Sequence, residues 1–333
     1  MGHPPRLPQG HRGWTSRPYA EPPVTRGRRV IGWGVVAAGR HTIGTSPQSP
    51  TERCPMPARP WTTIAPGPHD VRLVVADMDG TLLDESGAVP ADFWGLLTLM
   101  GERGITFVPA SGRQLATLQR VFERAPQGLS YVAENGTLVV HDDEVVSTTT
   151  VSAEITRSVV GTVREAARDH DLGLVVCGVR SAYVERNDRA FLAECDKYYA
   201  RLEVVEDLHA VEDDVLKLAV YDFEDSERHV DPIFGEVART HQVVVSGKHW
   251  LDIMVRGVDK GQGVRALQAR LGVTPAQTVV LGDYLNDLQM LGTAEWSFAM
   301  ANAHDDLIEQ AAYLAPANTE DGVVRVLTRL LGA

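Results

Sequence analysis

The stretch that most restricts this chain is Val71-Arg-Leu-Val-Val-Ala76, followed at once by Asp77-Met-Asp-Gly-Thr81. A short, almost continuous apolar run reads as a strand buried on both faces, as in a parallel sheet. Two carboxylates one residue apart at its carboxyl end lie where open α/β sheets place their ligands. An unpaired buried charge is costly, so a cation or a phosphate-handling site is the natural partner. A calcium loop is excluded, because it needs a preceding helix and a Glu at its twelfth position. Counted from Asp77, that position is Ala88, and a strand comes before. An ordinary polar turn stays open on this stretch alone, and the rest of the chain has to decide.

At 333 residues the chain has room for two domains. Its formal net charge of -12 is unevenly spread: residues 1–60 hold nine Arg and two Glu, a balance of +7, which leaves -19 for the remainder. An acidic body argues against nucleic acid as a partner. A small anion can still bind where a cation and a few local bases dominate a cleft. Cys54, Cys177 and Cys195 form no C-x-x-C pair, which gives no structural zinc framework and points to a reducing, cytoplasmic setting. No run has the apolar length of a membrane span. Thirteen of the 19 prolines fall within the first 68 residues, which excludes long helices and central strands there. Residues 1–68 are therefore expected to be a disordered tail, or an upstream extension of a chain that starts at Met56. A twin-arginine export signal at Arg28-Arg29 is disfavoured, because the apolar stretch after it is short and closes at Arg40.

Beyond the opening strand, helical spacing over Pro90–Arg103 puts Phe93, Leu96, Leu97 and Met100 on one face. Ile105–Pro109 is the next strand and ends in Ala110-Ser-Gly-Arg113, a turn that presents Ser111 and backbone N–H groups to an anion or simply caps a helix. Leu129–Ala133 and Thr137–Val140, joined by Glu134-Asn-Gly136, read as a hairpin. From Val145 to about Lys248 the texture changes to clustered short strands with helices between, as in an inserted α+β unit. His249–Val255 is assigned to the first sheet again and leads to Arg256-Gly-Val-Asp-Lys-Gly261. Thr278–Leu281 is another buried run, ending in Gly282-Asp-Tyr-Leu-Asn-Asp287. The alternation of strand and helix on both sides of the insertion predicts one parallel sheet, split in sequence and joined in space.

Four strand ends then offer Asp77 with Asp79, Ser111, Lys260, and Asp283 with Asn286 and Asp287. Carboxylates, one Lys and a hydroxyl on one sheet edge suit Mg²⁺ and a phosphoryl group. The Lys supplies a compact charge for a phosphate oxygen. Singly, Lys260 reads as a solvated loop residue, Asp287 as a helix cap and Asn286 as a turn residue. Together with the leading pair they read as a site.

The ordered runs D-M-D-G-T, A-S-G-R, V-D-K-G and G-D-Y-L-N-D resemble the four motifs of the haloacid dehalogenase superfamily. E-N-G, the insertion between the second and third motifs, and A-M-A-N-A resemble its Cof-type members with a type IIB cap; Ala301 stands where Gly is usual. The likeness spans about residues 71–330. It implies a Rossmann-like α/β core at 69–144 and 249–333, and an inserted α+β cap at 145–248 that reads the substrate. It implies Asp77 as nucleophile and Asp79 as acid and base. Ser111, Gly112, Asn135, Lys260 and Asn286 would lie on the substrate. The metal set would be Asp77, Asp79 through its main-chain carbonyl, Asp283 and Asp287. The activity implied is Mg²⁺-dependent hydrolysis of a small phosphate monoester, a sugar phosphate by default, with Tyr183, Arg186 and Lys217 as cap residues that could meet it.

Two rival readings stand beside this one. Gly261-Gln-Gly-Val-Arg-Ala266 matches a dinucleotide-binding G-x-G-x-x-A, a weak lone match that leaves the acidic pair unexplained. A phosphosugar mutase on the same fold shares every motif, because the difference lies in water access under the cap. Oligomeric state is not readable from the sequence.

Overall fold

Two short strands open the computed structural model, which describes residues 58–125, 128–245 and 248–333. The expected start at Met56 and the residues before it lie outside the described part. β1 (Arg59–Pro60) is an edge strand, where a proline costs no ladder bond. β2 (Leu73–Asp77) is buried at all five residues. α1 (Phe93–Glu102) buries Phe93, Leu96, Leu97 and Met100, the four residues its spacing selects, each contributing roughly 1.5–3 kcal/mol. β3 (Thr106–Ala110), α2 (Leu115–Val121) and β4 (Tyr131–Ala133) follow, then β5 (Leu138–His141) and β6 (Glu144–Thr148). β4 and β5 form the expected hairpin, with Tyr131 opposite Val140 and Asn135 in the left-handed region at its turn (φ 56°).

The inserted part contains α3 (Ala153–Ala166), β7 (Leu172–Gly178), β8 (Ala182–Val184), α4 (Arg189–Cys195) and β9 (Leu202–Val204). It goes on through β10 (Val215–Asp222), α5 (Ser226–Phe234), β11 (His241–Val245) and β12 (Trp250–Val255). The chain then returns through α6 (Lys260–Leu271), β13 (Thr278–Gly282), α7 (Leu288–Leu291), β14 (Trp296–Met300), α8 (Asp305–Gln310), β15 (Tyr313–Ala315) and α9 (Gly322–Leu331).

The strands build a nine-stranded sheet, ordered β1-β15-β14-β13-β2-β3-β4-β5-β6, and a six-stranded sheet, ordered β11-β12-β10-β7-β8-β9. In the first sheet every pair from β1 to β4 is parallel, and β4-β5-β6 closes one edge antiparallel. The fold is thus a Rossmann-like parallel core carrying an inserted α+β cap. The split-sheet expectation is met where it matters: β2 lies between β13 and β3, although some 200 residues separate β13 from β2 in sequence.

Three boundaries differ from expectation. β12, assigned to the core from the sequence, pairs with β10 and β11 in the cap sheet, so the chain leaves the cap only after Val255. β6 keeps residues up to Thr148 in the core sheet. Residues 58–68, expected to be disordered, are anchored: Ile64 is buried, and the Arg329 guanidinium donates to the carbonyls of Ile64 (2.5 Å) and Thr62 (2.9 Å). Proline content excluded long elements there but could not foresee a clamp supplied by a distant Arg.

Candidate active site

The core sheet brings the candidate residues together through register. Ala76 is opposite Leu281 and Asp77 is opposite Ala110, so Asp77, Asp283 and Ser111 emerge side by side from β2, β13 and β3. Lys260 is the first residue of α6, which Asp259 caps by accepting from the Gln262 N–H (2.8 Å). Its side chain is wholly buried and points between two carboxylates, with Nζ 2.5 Å from Asp77 Oδ1 and 2.7 Å from Asp287 Oδ1. Asp287 is fully buried too; its second oxygen accepts from the backbone N–H groups of Asp283 (3.0 Å) and Tyr284 (3.2 Å), which fixes the turn after β13.

Asp77, Asp283 and Asp287 each place a carboxylate oxygen within 4.8 Å of the others. Burial pushes the Asp77 carboxyl well above its ordinary range, against the pull of Lys260. Burial also raises Asp283, to about 6, while the Thr81 hydroxyl, donating at 2.9 Å, works the other way. Asp287 and Asp77 draw the Lys260 ammonium upward, against its own burial. Three carboxylates around one ammonium leave an uncompensated negative charge among oxygen donors, the donor set that hard divalent cations take. Gly80 has φ +81°, and a Cβ there would fall 2.3 Å from Asp283 Oδ2. Only glycine lets the loop adopt this turn and lets the carboxylate come this close.

Asp79 stands apart from that cluster. Its exposed carboxylate is gripped by Arg113 through Nε (2.9 Å) and Nη2 (2.5 Å). Ser111 is buried, and its Oγ accepts from the Arg113 N–H (3.2 Å). A Cβ on Gly112 would lie 3.0 Å from the Asn135 amide, and Asn286 Nδ2 donates to Asn135 Oδ1 (3.3 Å), so these three also meet at the rim. Asp77, Asp79, Ser111, Gly112, Asn135, Asp283 and Asn286 all line one cleft of about 300 Å³.

The opposite wall comes from the cap. Tyr198, Tyr199, Trp250, Lys217 and Asp252 line it. Lys217, on β10, is buried and bridges the two sheets: Nζ donates to the Gly112 carbonyl (3.0 Å) and pairs with Glu134 (2.9 Å) and Asp252 (3.4 Å). Of the three cap residues singled out from sequence, only Lys217 reaches the cleft. Tyr183 donates to Asp213, and Arg186 is tied to Asp171 and Asp188 while lying over Phe191 and Phe223.

Sequence reasoning did not single out Thr81, Glu134, Tyr198, Trp250, Asp252 or Asn302, whose Nδ2 donates to the Gly80 carbonyl (2.8 Å). Thr81, Glu134 and Asn302 stood inside the D-M-D-G-T, E-N-G and A-M-A-N-A runs; the cap residues carried no local signal. The G-x-G-x-x-A match has a packing explanation. A Cβ at Gly261 would lie 2.4 Å from the Gln289 carbonyl, and one at Gly263 would lie 2.7 Å from Val132, so both glycines let α6 close on α7 and the sheet.

Comparison with known proteins agrees with this architecture. The sequence pattern of the haloacid dehalogenase-like hydrolases matches residues 74–327. The 5-amino-6-(5-phospho-D-ribitylamino)uracil phosphatase of Escherichia coli K12 is 32% identical over 265 residues, covering 78% of this chain and 96% of that one. A Bacillus subtilis protein of the same name is 24% identical over 260 residues, covering 78% and 95%. Among solved structures, SMU.1108c from Streptococcus mutans superposes with a TM-score of 0.69 at 26% identity, over 79% of this chain and 100% of that one. TM0651 from Thermotoga maritima shares the fold, with a TM-score of 0.70 at 23% identity over 78% of this chain and 97% of that one.

The chain belongs to the haloacid dehalogenase-like hydrolases, in their Cof-type branch. It is an enzyme of the phosphatase kind, by its relatives in sequence. No helix among the described residues is long and apolar enough to cross a membrane.

Proposed function

We propose that the protein is a Mg²⁺-dependent phosphatase that removes phosphate from a small monoester by way of a phosphoryl group carried on Asp77. The observation that carries this reading is the placement of Asp77: at a strand end, on the cleft, against a buried lysine and beside two more carboxylates. Asp77, Asp283 and the main-chain carbonyl of Asp79 would hold the ion, with Asp287 orienting the surrounding groups. When bound, the ion supplies charge neutralisation at the phosphoryl oxygens.

The chain's own groups do the rest. A carboxylate oxygen of Asp77 attacks phosphorus, and the bond from phosphorus to the ester oxygen breaks. Asp79, once turned from Arg113 and protonated, gives its proton to the departing oxygen. It then takes a proton from the water that attacks the phosphorus of the acyl phosphate, which returns Asp77 and releases phosphate. Ser111, the backbone N–H groups after it and Lys260 hold the transferring oxygens. Positioning and charge neutralisation make up most of what phosphoryl transfer asks of a protein.

For the leaving group, the support is the aromatic wall. Tyr198 and Trp250 meet edge to face (5.6 Å between ring centroids), and the exposed ring of Tyr284 lies on the core side of the same cleft. Such a wall suits a phosphorylated sugar or polyol that ends in a flat heterocycle, a description met by the compound for which the two relatives above are named. The test is a panel of phosphorylated metabolites scored by free phosphate with Mg²⁺ and with chelator. Ion-dependent release, fastest from phosphoribityl-pyrimidine esters and slower from plain hexose phosphates, is expected. Isomerised sugar phosphate without free phosphate would make the protein a mutase instead.

A further inference from the structure

We propose that His170, Glu224 and His229 form a second divalent-cation site, of the zinc type, on the cap and away from the catalytic cleft. The three residues come from three different places in the chain: the turn after α3, the exit of β10, and α5. Each nevertheless offers a ligand atom within 4.8 Å of the other two. The rings of His170 and His229 lie 4.3 Å apart between centroids. Two imidazoles and one carboxylate, with room for water, are the ligand set that borderline divalent cations, zinc above all, take from proteins.

A buried carboxylate prepares this site. Asp222 is 1% exposed, and its Oδ2 lies 2.5 Å from His229 Nδ1. That contact fixes the ring and leaves Nε2 as the nitrogen that can bind, the arrangement that orients metal-bound histidines. The other oxygen of Asp222 accepts from the Glu224 N–H (2.8 Å), so one side chain sets both a ligand ring and the turn that carries the ligand carboxylate. The third ligand is tied down through the backbone: the His170 carbonyl accepts from the Leu172 N–H (3.0 Å), and the Asp171 carbonyl from the Phe223 N–H (3.1 Å). A solvated patch of surface histidines does not require a buried aspartate aimed at one of them.

The site has no part in the phosphoryl chemistry. Asp222 and Lys217 share β10 five residues apart, which puts about 16 Å between them along the strand. A bound ion would pin α5 and the end of α3 to the rim of the cap sheet. Its effect is on cap rigidity, and the inference stands whether or not the phosphatase reading does.

The test uses the full-length protein, stripped with chelator and returned to saturating Mg²⁺ so that the carboxylate cluster of the core is occupied. Zinc chloride is then titrated calorimetrically, with a parallel Co²⁺ titration followed by visible absorption. One zinc equivalent is expected for the wild type and for Asp77→Asn, and none for the double variant His170→Gln/Glu224→Gln. Asp222→Asn should bind about 10–100-fold more weakly. Circular dichroism without zinc establishes that each variant is folded. With zinc, the melting temperature should rise only where the equivalent is bound. No zinc equivalent in the wild type, or the same equivalent in the folded double variant, overturns the assignment.

Discussion

Asp283 shows how a single residue can oppose the stability of its own fold. Burial raises its carboxyl to about 6, so the folded chain holds this proton more tightly than the unfolded chain does. Between the ordinary carboxylate range and about 6 the folded state therefore binds more protons, and the stability contributed by this residue falls as pH rises through that window. In chelator, Asp283→Asn should gain on the wild type across that window, because the amide keeps a partner for the Thr81 hydroxyl and removes the charge. Below the window the advantage should vanish. Urea melts of both proteins across that range check this, and a difference that ignores pH would contradict it. Cys177 and Cys195 offer a second prediction at this scale. Both are buried, and burial pushes the Cys195 thiol up to about 12 and Cys177 higher still. Neither should be alkylated in the native protein at neutral pH, as peptide mass mapping after a short exposure to iodoacetamide would show, and both should react once the chain is unfolded. The residues that sequence could name were those whose types are costly to bury without a purpose: the acidic pair, the lysine and the late aspartates. Tyr198, in a turn, and Trp250 and Asp252, in a strand, were not legible, because an aromatic or acidic residue looks the same in sequence whether it faces a cleft or solvent.

Among the elements, β10 joins the two sheets through one buried side chain. Lys217 reaches from it to the Gly112 carbonyl and to Glu134, in the turn after β4. Glu134 is 1% exposed, and burial raises its carboxyl against the pull of Lys217. Lys217→Met would leave that carboxylate without its cation, a loss of about 3–5 kcal/mol in denaturant melts. The double variant Lys217→Met/Glu134→Gln should recover part of it, because buried Asp252 still loses its cation; equal losses in single and double variants would contradict the pairing. The strands show where pattern reading stops. β2 and β13 were legible as unbroken buried runs and α1 as a four-residue stripe. β12 was legible as a strand but was given to the wrong sheet, because pairing partners are chosen over long range and leave no local trace. α5 begins at Ser226 and carries Pro232 inside. It packs on α3, β11 and β12, contacts that outweigh the missing N–H.

For the molecule as a whole, the split core is the organising fact. Its two halves are separated in sequence by the entire cap, yet they deliver Asp77 and Asp283 to neighbouring strand ends. The cap closes over them through a few polar contacts and an aromatic wall, which suits a cleft that must admit an ester and release phosphate. The account rests on Asp77 carrying the phosphoryl group. The direct measurement is an acid quench of the enzyme during turnover of its best ester, followed by mass analysis of the peptide containing Asp77. The account predicts one phosphoryl adduct on that peptide, removed by hydroxylamine and absent from Asp77→Asn, which should lose turnover by about 10³-fold or more. Full-rate phosphate release by Asp77→Asn, or an adduct on a different residue, would contradict it.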